Sequence, residues 1–199
     1  SDIKELKKLK VNYLYLPTFT DIYSFKAKNK IYVDKFSKQL CGKFRKGHFE
    51  GVLNVVNRFI EIIKPRYIYL GKKDYQQLYL IRKHIEKKKI KSKIIECTTI
   101  RENNGIACSS RNSTLNKNQM KIASNIFYYL SNLKKKIKNN HNLFNRNKIK
   151  KNLINLGANK IDYLENYNIK NFKKINKPNK KFNLFFAYYI RNTRLIDNI

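Results

Sequence analysis

The chain has 199 residues, 42% of them hydrophobic, enough for one sizeable domain or two small ones. Its mean hydropathy is −0.64, its apolar runs are too short to cross a membrane, and Ser1-Asp2-Ile3-Lys4-Glu5 holds no apolar signal core, so a cytoplasmic protein is expected. The net charge of +32 would attract phosphate polymers, but the lysines spread along the whole chain instead of forming a stripe with aromatic partners, and nucleic acid is not the expected partner.

Asp2–Lys10 reads as the end of a helix, with Ile3, Leu6 and Leu9 on one face. Val11–Leu16 is predicted as a short strand stopped by Pro17, and Ile31–Val33 as another extended piece. Gly47 and Gly51 punctuate a turn, after which Val52, Val55, Val56, Phe59, Ile60 and Ile63 recur at helical spacing up to Pro65. Tyr67–Leu70 is a buried strand, Tyr75–Lys89 a helix and Lys93–Cys97 the next strand, followed by an Asn103-Asn104-Gly105 turn. Strand–helix alternation at this spacing predicts a parallel α/β sheet. From about Leu115 the style changes. Lys117–Ile137 is one long helix, and Lys134–Lys151 is either a solvated loop or a ragged helix pair. Leu153–Leu156, Ile161–Leu164 and Asn183–Ile190 then suggest a small α+β lobe. The expected division is 1–114 and 115–199.

Three stretches could carry chemistry. In Tyr67–Gln77 a buried strand ends at Gly71 and a helix follows, where free N–H groups and the positive dipole end suit a phosphate. Lys73 adds a mobile charge there, and Gln77 lies one turn on, on the same side. An ordinary turn with solvated lysines fits equally well. In Thr99–Asn112 a tight turn joins two extended pieces, and the second ends in Ser109, Ser110 and Arg111, two hydroxyls and a planar fork that matches phosphate oxygens. The alternative is a helix N-cap. In Arg45–Gly51 two glycines flank His48, which is either catalytic or hydrogen-bonded in a buried turn. His84 and His141 read as surface residues. Cys41, Cys97 and Cys108 are widely spaced and build neither a disulfide framework nor a C-x-x-C metal pair, and no protein metal site is expected.

Taken together, Arg45-Lys-Gly-His-Phe-Glu-Gly-Val52, Gly71-Lys-Lys-Asp-Tyr-Gln-Gln77, Ile100–Asn112 and Thr193-Arg-Leu-Ile-Asp-Asn198 resemble the pantothenate synthetase family of nucleotidyltransferases, in its order and at its spacing. The resemblance implies a Rossmann-like α/β domain followed by a small α+β C-terminal lobe. It implies ATP-dependent joining of pantoate to β-alanine through pantoyl adenylate, with Mg²⁺ accompanying the nucleotide. It further implies that Gly71, Lys72, Lys73 and Asp74 hold ATP, that Ile100 lies against adenine, that Cys108, Ser109, Ser110 and Arg111 bind the phosphates, and that Gln77 binds pantoate. Lys73, Ser109, Ser110 and Arg111 would then stabilise the transition state. A homodimer belongs to the same expectation. Lys72 stands where the family has Glu, Cys108 where it has Leu or Met, and Lys46 where it has Pro. The family's Met-Gly turn and His-x-Gly-His motif lie ahead of the position of Ser1, and no His-x-Gly-His occurs in these 199 residues. The resemblance therefore implies a chain short of its first strands, unable to make pantothenate alone. Two other readings stand beside this one: a paralogue that binds nucleotide without ligation, and a basic RNA-binding module.

Overall fold

The computed structural model describes residues 2–175 and 181–199, with the side chain of His141 outside that description. Helix α1 (Asp2–Lys8) buries nothing. The Val11–Leu16 strand does not form among the described residues, and Tyr13 and Leu16 stand exposed. A strand needs a neighbour for its N–H and C=O groups, and β-branched composition does not supply one. Helix α2 (Phe19–Tyr23) is held by a capping box between Thr18 and Asp21.

Residues 25–34 run extended without a ladder, and side chains satisfy their backbone instead. Glu61 accepts the N–H groups of Lys28 at 2.9 Å and Asn29 at 2.8 Å, and Asn57 donates to the Asn29 carbonyl at 2.9 Å. His84 is the third post. Contrary to the surface position expected for it, it is fully buried. Its Nδ1 accepts the Tyr32 N–H at 3.0 Å, so its Nε2 carries the proton and donates to Asn57 Oδ1, also 3.0 Å away. Burial, and then Lys88, holds this imidazole below its ordinary pKa. The unfolded chain therefore takes up a proton, near pH 6.5, that the folded chain resists, and stability is lost as pH falls from there toward the depressed folded value. Thermal melts at pH 7.5 and 5.5 should show a drop that is smaller in His84→Gln than in the parent. An equal drop would relieve His84 of this role.

A 3-10 turn at Lys35–Lys38 and the short helix α3 (Cys41–Phe44) lead to α4 (His48–Ile63). Gly51 lies inside α4 rather than in the turn before it. Gly47, at φ +72°, supplies the left-handed residue from which α4 starts. Strand β1 (Tyr67–Gly71) and strand β2 (Lys93–Cys97) pair in parallel, joined by α5 (Tyr75–Lys87). Ile68, Leu70 and Ile94 pack with Leu53, Ile60, Ile81 and Ile85 of α4 and α5, while Tyr67, Tyr69 and Ile95 point outward. Among the described residues, β1 pairs only with β2.

Helix α6 (Lys117–Asn139) begins with a capping box between Asn116 and Gln119. The Lys- and Asn-rich stretch after it resolves into a 3-10 turn at His141–Leu143 and helix α7 (Arg146–Asn155). Strands β3 (Lys160–Asn168), β4 (Phe182–Ile190) and β5 (Thr193–Asn198) form an antiparallel sheet in that order. The residues read as Ile161–Leu164 fall inside β3. Helices α6 and α7 cover one face of this sheet through Ile126, Leu130 and Leu153 against Leu164 and Phe186. The other face meets the first half of the chain in an aromatic cluster of Phe36, Tyr75, Tyr79, Tyr167, Phe172 and Phe185. One core thus spans both sides of residue 115.

Candidate active site

Strand β1 stops at Gly71, and the chain takes a 3-10 turn, Lys72–Asp74, before α5 begins. That turn splits the two lysines. The Lys72 ammonium leans to Glu96 of β2, 3.3 Å away, which Arg82 also holds. Burial works to raise the Glu96 carboxyl, but these two cations hold it below the usual range. The charge of Lys72 is met there, away from the cavity described below. Lys73 turns the other way. Its side chain is only 19% exposed, with its ammonium 3.6 Å from Asp74. The next helical turn divides two glutamines in the same manner. Gln76 is buried and structural: its Oε1 accepts the Cys41 N–H at 3.1 Å, and its Nε2 donates to the Phe36 and Gln39 carbonyls. Gln77 faces the cavity, and its amide has no hydrogen-bond partner among the described residues.

The Asn103-Asn104-Gly105 turn forms as expected, with Arg101 bridged to Ala107 across it. Gly105 sits at φ +83°, and a Cβ there would lie 2.4 Å from the Phe127 ring. Arg101 is held on three sides: it donates to the Gly105 carbonyl at 3.0 Å, grips Asp197 at 2.7 and 3.2 Å, and lies 4.5 Å over the Phe127 ring. Ser109 does act as an N-cap, its Oγ accepting the Arg111 N–H at 3.2 Å. Asn112 braces the same turn by donating to Glu102 and to the Ala107 carbonyl. Cys108 contributes its N–H to the Ile100 carbonyl at 3.0 Å, and Ile100 is 71% exposed. Ser110 is exposed and lines neither of the two cavities below. Arg111 is free: its guanidinium makes no hydrogen bond among the described residues.

These pieces enclose a cavity of about 150 Å³ between the start of α4, the loop after β1 and strand β5. Arg45, His48, Lys73, Gln77 and Arg111 line it together with the carboxylates of Asp74 and Asp197 and the Asn198 amide, and Tyr163 and Phe185 add to its apolar wall. A smaller hollow of about 20 Å³ adjoins it, sharing Lys73 and Arg111 and adding Ser109. An open groove runs from His48 and Gln77 along Gly51, Val52 and Val56. Burial, then Arg45 and Arg194, keeps the His48 imidazole below its ordinary pKa, so it stands neutral near pH 7. Asp197 closes the far side; burial outweighs Arg101 and leaves its carboxyl above the usual range. Behind the cavity a bulge between Ile161 and Tyr163 turns Asp162 toward Arg194, whose Nε donates to it at 2.7 Å. The structure thus brings Lys73, Asp74, Gln77, Ser109 and Arg111 to one place, and leaves Lys72, Ser110, Ile100 and Cys108 outside the cavities. Reasoning from sequence gave no role to Arg45, Arg101, Asp197 or Asn198. Arg45 stood in a quoted motif, and the opposite charges of Arg101 and Asp197, each inside a quoted motif, were the available signal.

The family model for pantoate-beta-alanine ligase matches residues 1–199. The pantothenate synthetase of Flavobacterium psychrophilum is 36% identical over all of this chain and 72% of its own length. That of Caldicellulosiruptor saccharolyticus is 35% identical over 95% of this chain and 68% of its own. Among solved structures, the pantoate-beta-alanine ligase of Francisella tularensis, complexed with beta-gamma ATP and beta-alanine, covers all of this chain and 68% of its own at 34% identity and a TM-score of 0.76. Pantothenate synthetase from Thermus thermophilus superposes with a TM-score of 0.88 at 25% identity, over all of this chain and 72% of its own. With its Rossmann-like domain and small antiparallel C-terminal sheet, the chain belongs to the pantoate–β-alanine ligase family, the ATP-dependent enzymes that make pantothenate.

Proposed function

We propose that the 150 Å³ cavity receives pantoate at Gln77 and the phosphates of ATP at Lys73, Ser109 and Arg111. One observation carries this. The side chains of Gln77, His48 and Arg111 have no hydrogen-bond partner among the described residues and converge on one cavity, while the groups behind them, Gln76, Asn112, Arg101 and Asp197, are committed to structural bonds. Polar groups held ready without internal partners are what a polar ligand needs.

In the first step a pantoate carboxylate oxygen attacks the α-phosphorus of ATP, and the bond to pyrophosphate breaks. Negative charge grows on the phosphate oxygens, and the cations of Lys73 and Arg111 at the cavity wall would meet it. In the second step the β-alanine amine attacks the acyl carbon, loses a proton and displaces AMP. Gln77, uncharged with a donor and an acceptor, suits a hydroxy acid. The exposed Ile100 offers an apolar surface to adenine, and the Cys108 position acts through its backbone. No group of three or more His, Cys, Asp and Glu converges among the described residues. Mg²⁺ would ride on the nucleotide phosphates, with Asp74 the more exposed of the two carboxylates that line the cavity. The division at residue 115, a homodimer and a cytoplasmic location belong to the same reading.

Activity is best measured with this chain joined behind a relative's segment that carries His-x-Gly-His. There Gln77→Ala should weaken pantoate about 3–10-fold, the worth of a neutral hydrogen bond, and leave ATP unchanged. Equal losses for both ligands in a titration would count against the assignment. Arg111→Lys keeps the charge but loses the planar fork, so pyrophosphate release should fall by about tenfold. Full activity in this variant would show that charge alone suffices.

A further inference from the structure

Strand β5 reaches across to the phosphate loop through one side chain. The Asn198 Nδ2 donates to two consecutive carbonyls, Lys72 at 2.8 Å and Lys73 at 2.9 Å. Asn198 is 6% exposed, so these bonds are shielded from water. Its other amide atom, Oδ1, accepts from Asn183 Nδ2 at 2.9 Å, and Asn183 Oδ1 in turn accepts from the Lys134 ammonium at 3.1 Å. Chemistry fixes the direction of this chain. An ammonium can only donate and a carbonyl can only accept. With Lys134 at one end and two carbonyls at the other, each amide between them has one permitted orientation. Each link polarises the next.

We infer that Asn198 is a positioning residue for the ATP-phosphate loop, its amide aimed by Asn183 and Lys134 so that the loop presents Lys73 to the cavity. The inference rests on the reading of Lys73 as a phosphate ligand. The Lys73 ammonium would otherwise swing on a turn whose carbonyls no other side chain holds among the described residues. A helix and two strands of the C-terminal half thereby set the geometry of a loop in the first half.

Asn198→Asp gives a signature that mere packing would not. An ionised carboxylate would face two carbonyl oxygens with no proton to offer, whereas its protonated form regains one donor. The charged groups facing this position are Asp197, which accepts the Asn198 N–H, Arg101, whose guanidinium reaches the Asn198 carbonyl, Lys73 across the loop, and Lys134 at the head of the relay. Burial, and then Lys138, lowers the Lys134 pKa to about 8, so the head of the relay itself loses protons at the upper pH; all these groups are common to the parent, and each pH is compared with the parent at that pH.

The test is a calorimetric titration of ATP into the 199-residue chain at pH 8 and pH 5.5, with hydrogen exchange followed at the amides of residues 72–75. At pH 8 Asn198→Asp should bind ATP about tenfold more weakly than the parent, as expected when buried acceptors lose their donor, and the gap should close at pH 5.5. Asn183→Leu, which keeps the volume and the clamp residue but frees its orientation, should speed exchange in the loop and weaken ATP at both pH values. It serves as the second variant if Asn198→Asp melts early. Lys73→Ala separates the two ideas. If it loses ATP binding while Asn198→Asp and Asn183→Leu bind as the parent does, the positioning role is overturned and the site stands. If Lys73→Ala binds ATP like the parent, or the parent binds none, the site reading falls and the inference with it.

Discussion

Replacing Lys73 by alanine is expected to slow pyrophosphate release by roughly 10²–10³-fold, the usual effect of removing one preorganised donor from a developing anion. The expectation comes from how this ammonium is held. Its side chain is 19% exposed and packed at the border of two hollows, and its only ion-pair partner among the described residues is Asp74 at 3.6 Å, loose enough to yield to a phosphate. Lys72 cannot substitute, because Glu96 engages it on the far side of the loop. The measurement is release of pyrophosphate with ATP, pantoate and Mg²⁺, in the chain joined to a His-x-Gly-His segment, beside a melting curve. A loss of less than about threefold in a folded variant would remove Lys73 from the transition state.

The largest effect on stability is expected from Arg101→Met. Asp197 lies beneath the guanidinium with its side chain only 10% exposed, and removing Arg101 strands a largely buried carboxylate. Breaking a buried pair from one side typically costs about 3–5 kcal/mol. The variant also loses the guanidinium's contact with the Phe127 ring and its bond to the Gly105 carbonyl. Burial already lifts the Asp197 carboxyl above its ordinary range. A raised folded pKa means the folded chain holds its proton to higher pH than the unfolded chain, so its contribution is fully present at low pH and is lost as pH rises through the folded value. Without Arg101 that shift grows, and the deficit of Arg101→Met should be larger at pH 8 than at pH 5. The double variant Arg101→Met with Asp197→Leu removes both charges and should recover much of the loss, a coupling readable in a double-mutant cycle. Urea melts of the single variant within about 1 kcal/mol of the parent would show that the pair holds little.

What the sequence disclosed, and what it hid, follows from the range of the interactions. Val52, Val56 and Ile60 repeat at the helical period because one face of α4 is buried, and such a pattern is local. The positions of α4, α5 and α6 were legible for that reason. So was the pairing of Lys73 with Gln77 at one helical turn, which distinguishes Gln77 from its structural neighbour Gln76. His84 was misread because its neighbours in the chain include Lys83, Lys87 and Lys88, which suggest a solvated face. Its burial comes from Tyr32, Asn57 and the extended segment they brace, none of them near in sequence. Val11–Leu16 has strand composition but no partner, and pairing is not written in the strand itself. Asn198 and Asp197 could be seen only as letters in a motif, since what they touch lies in the Lys72–Asp74 turn, on β4 and at Arg101.

The hydrogen bonds from Asn198 to the Lys72 and Lys73 carbonyls span 126 and 125 positions of the chain. A ribosome delivers Lys73 long before it delivers β5. The sheet of β1 and β2, with α4 and α5 against it, draws its contacts from residues already made, so the first half can gather its apolar face while synthesis continues. The loop after Gly71 cannot be finished at that stage, because its two carbonyls wait for a side chain not yet translated. Nascent chains released before β5 should therefore carry a formed β1–α5 scaffold with an unset phosphate loop. On the proposed assignment, competence for the nucleotide would arrive with β5.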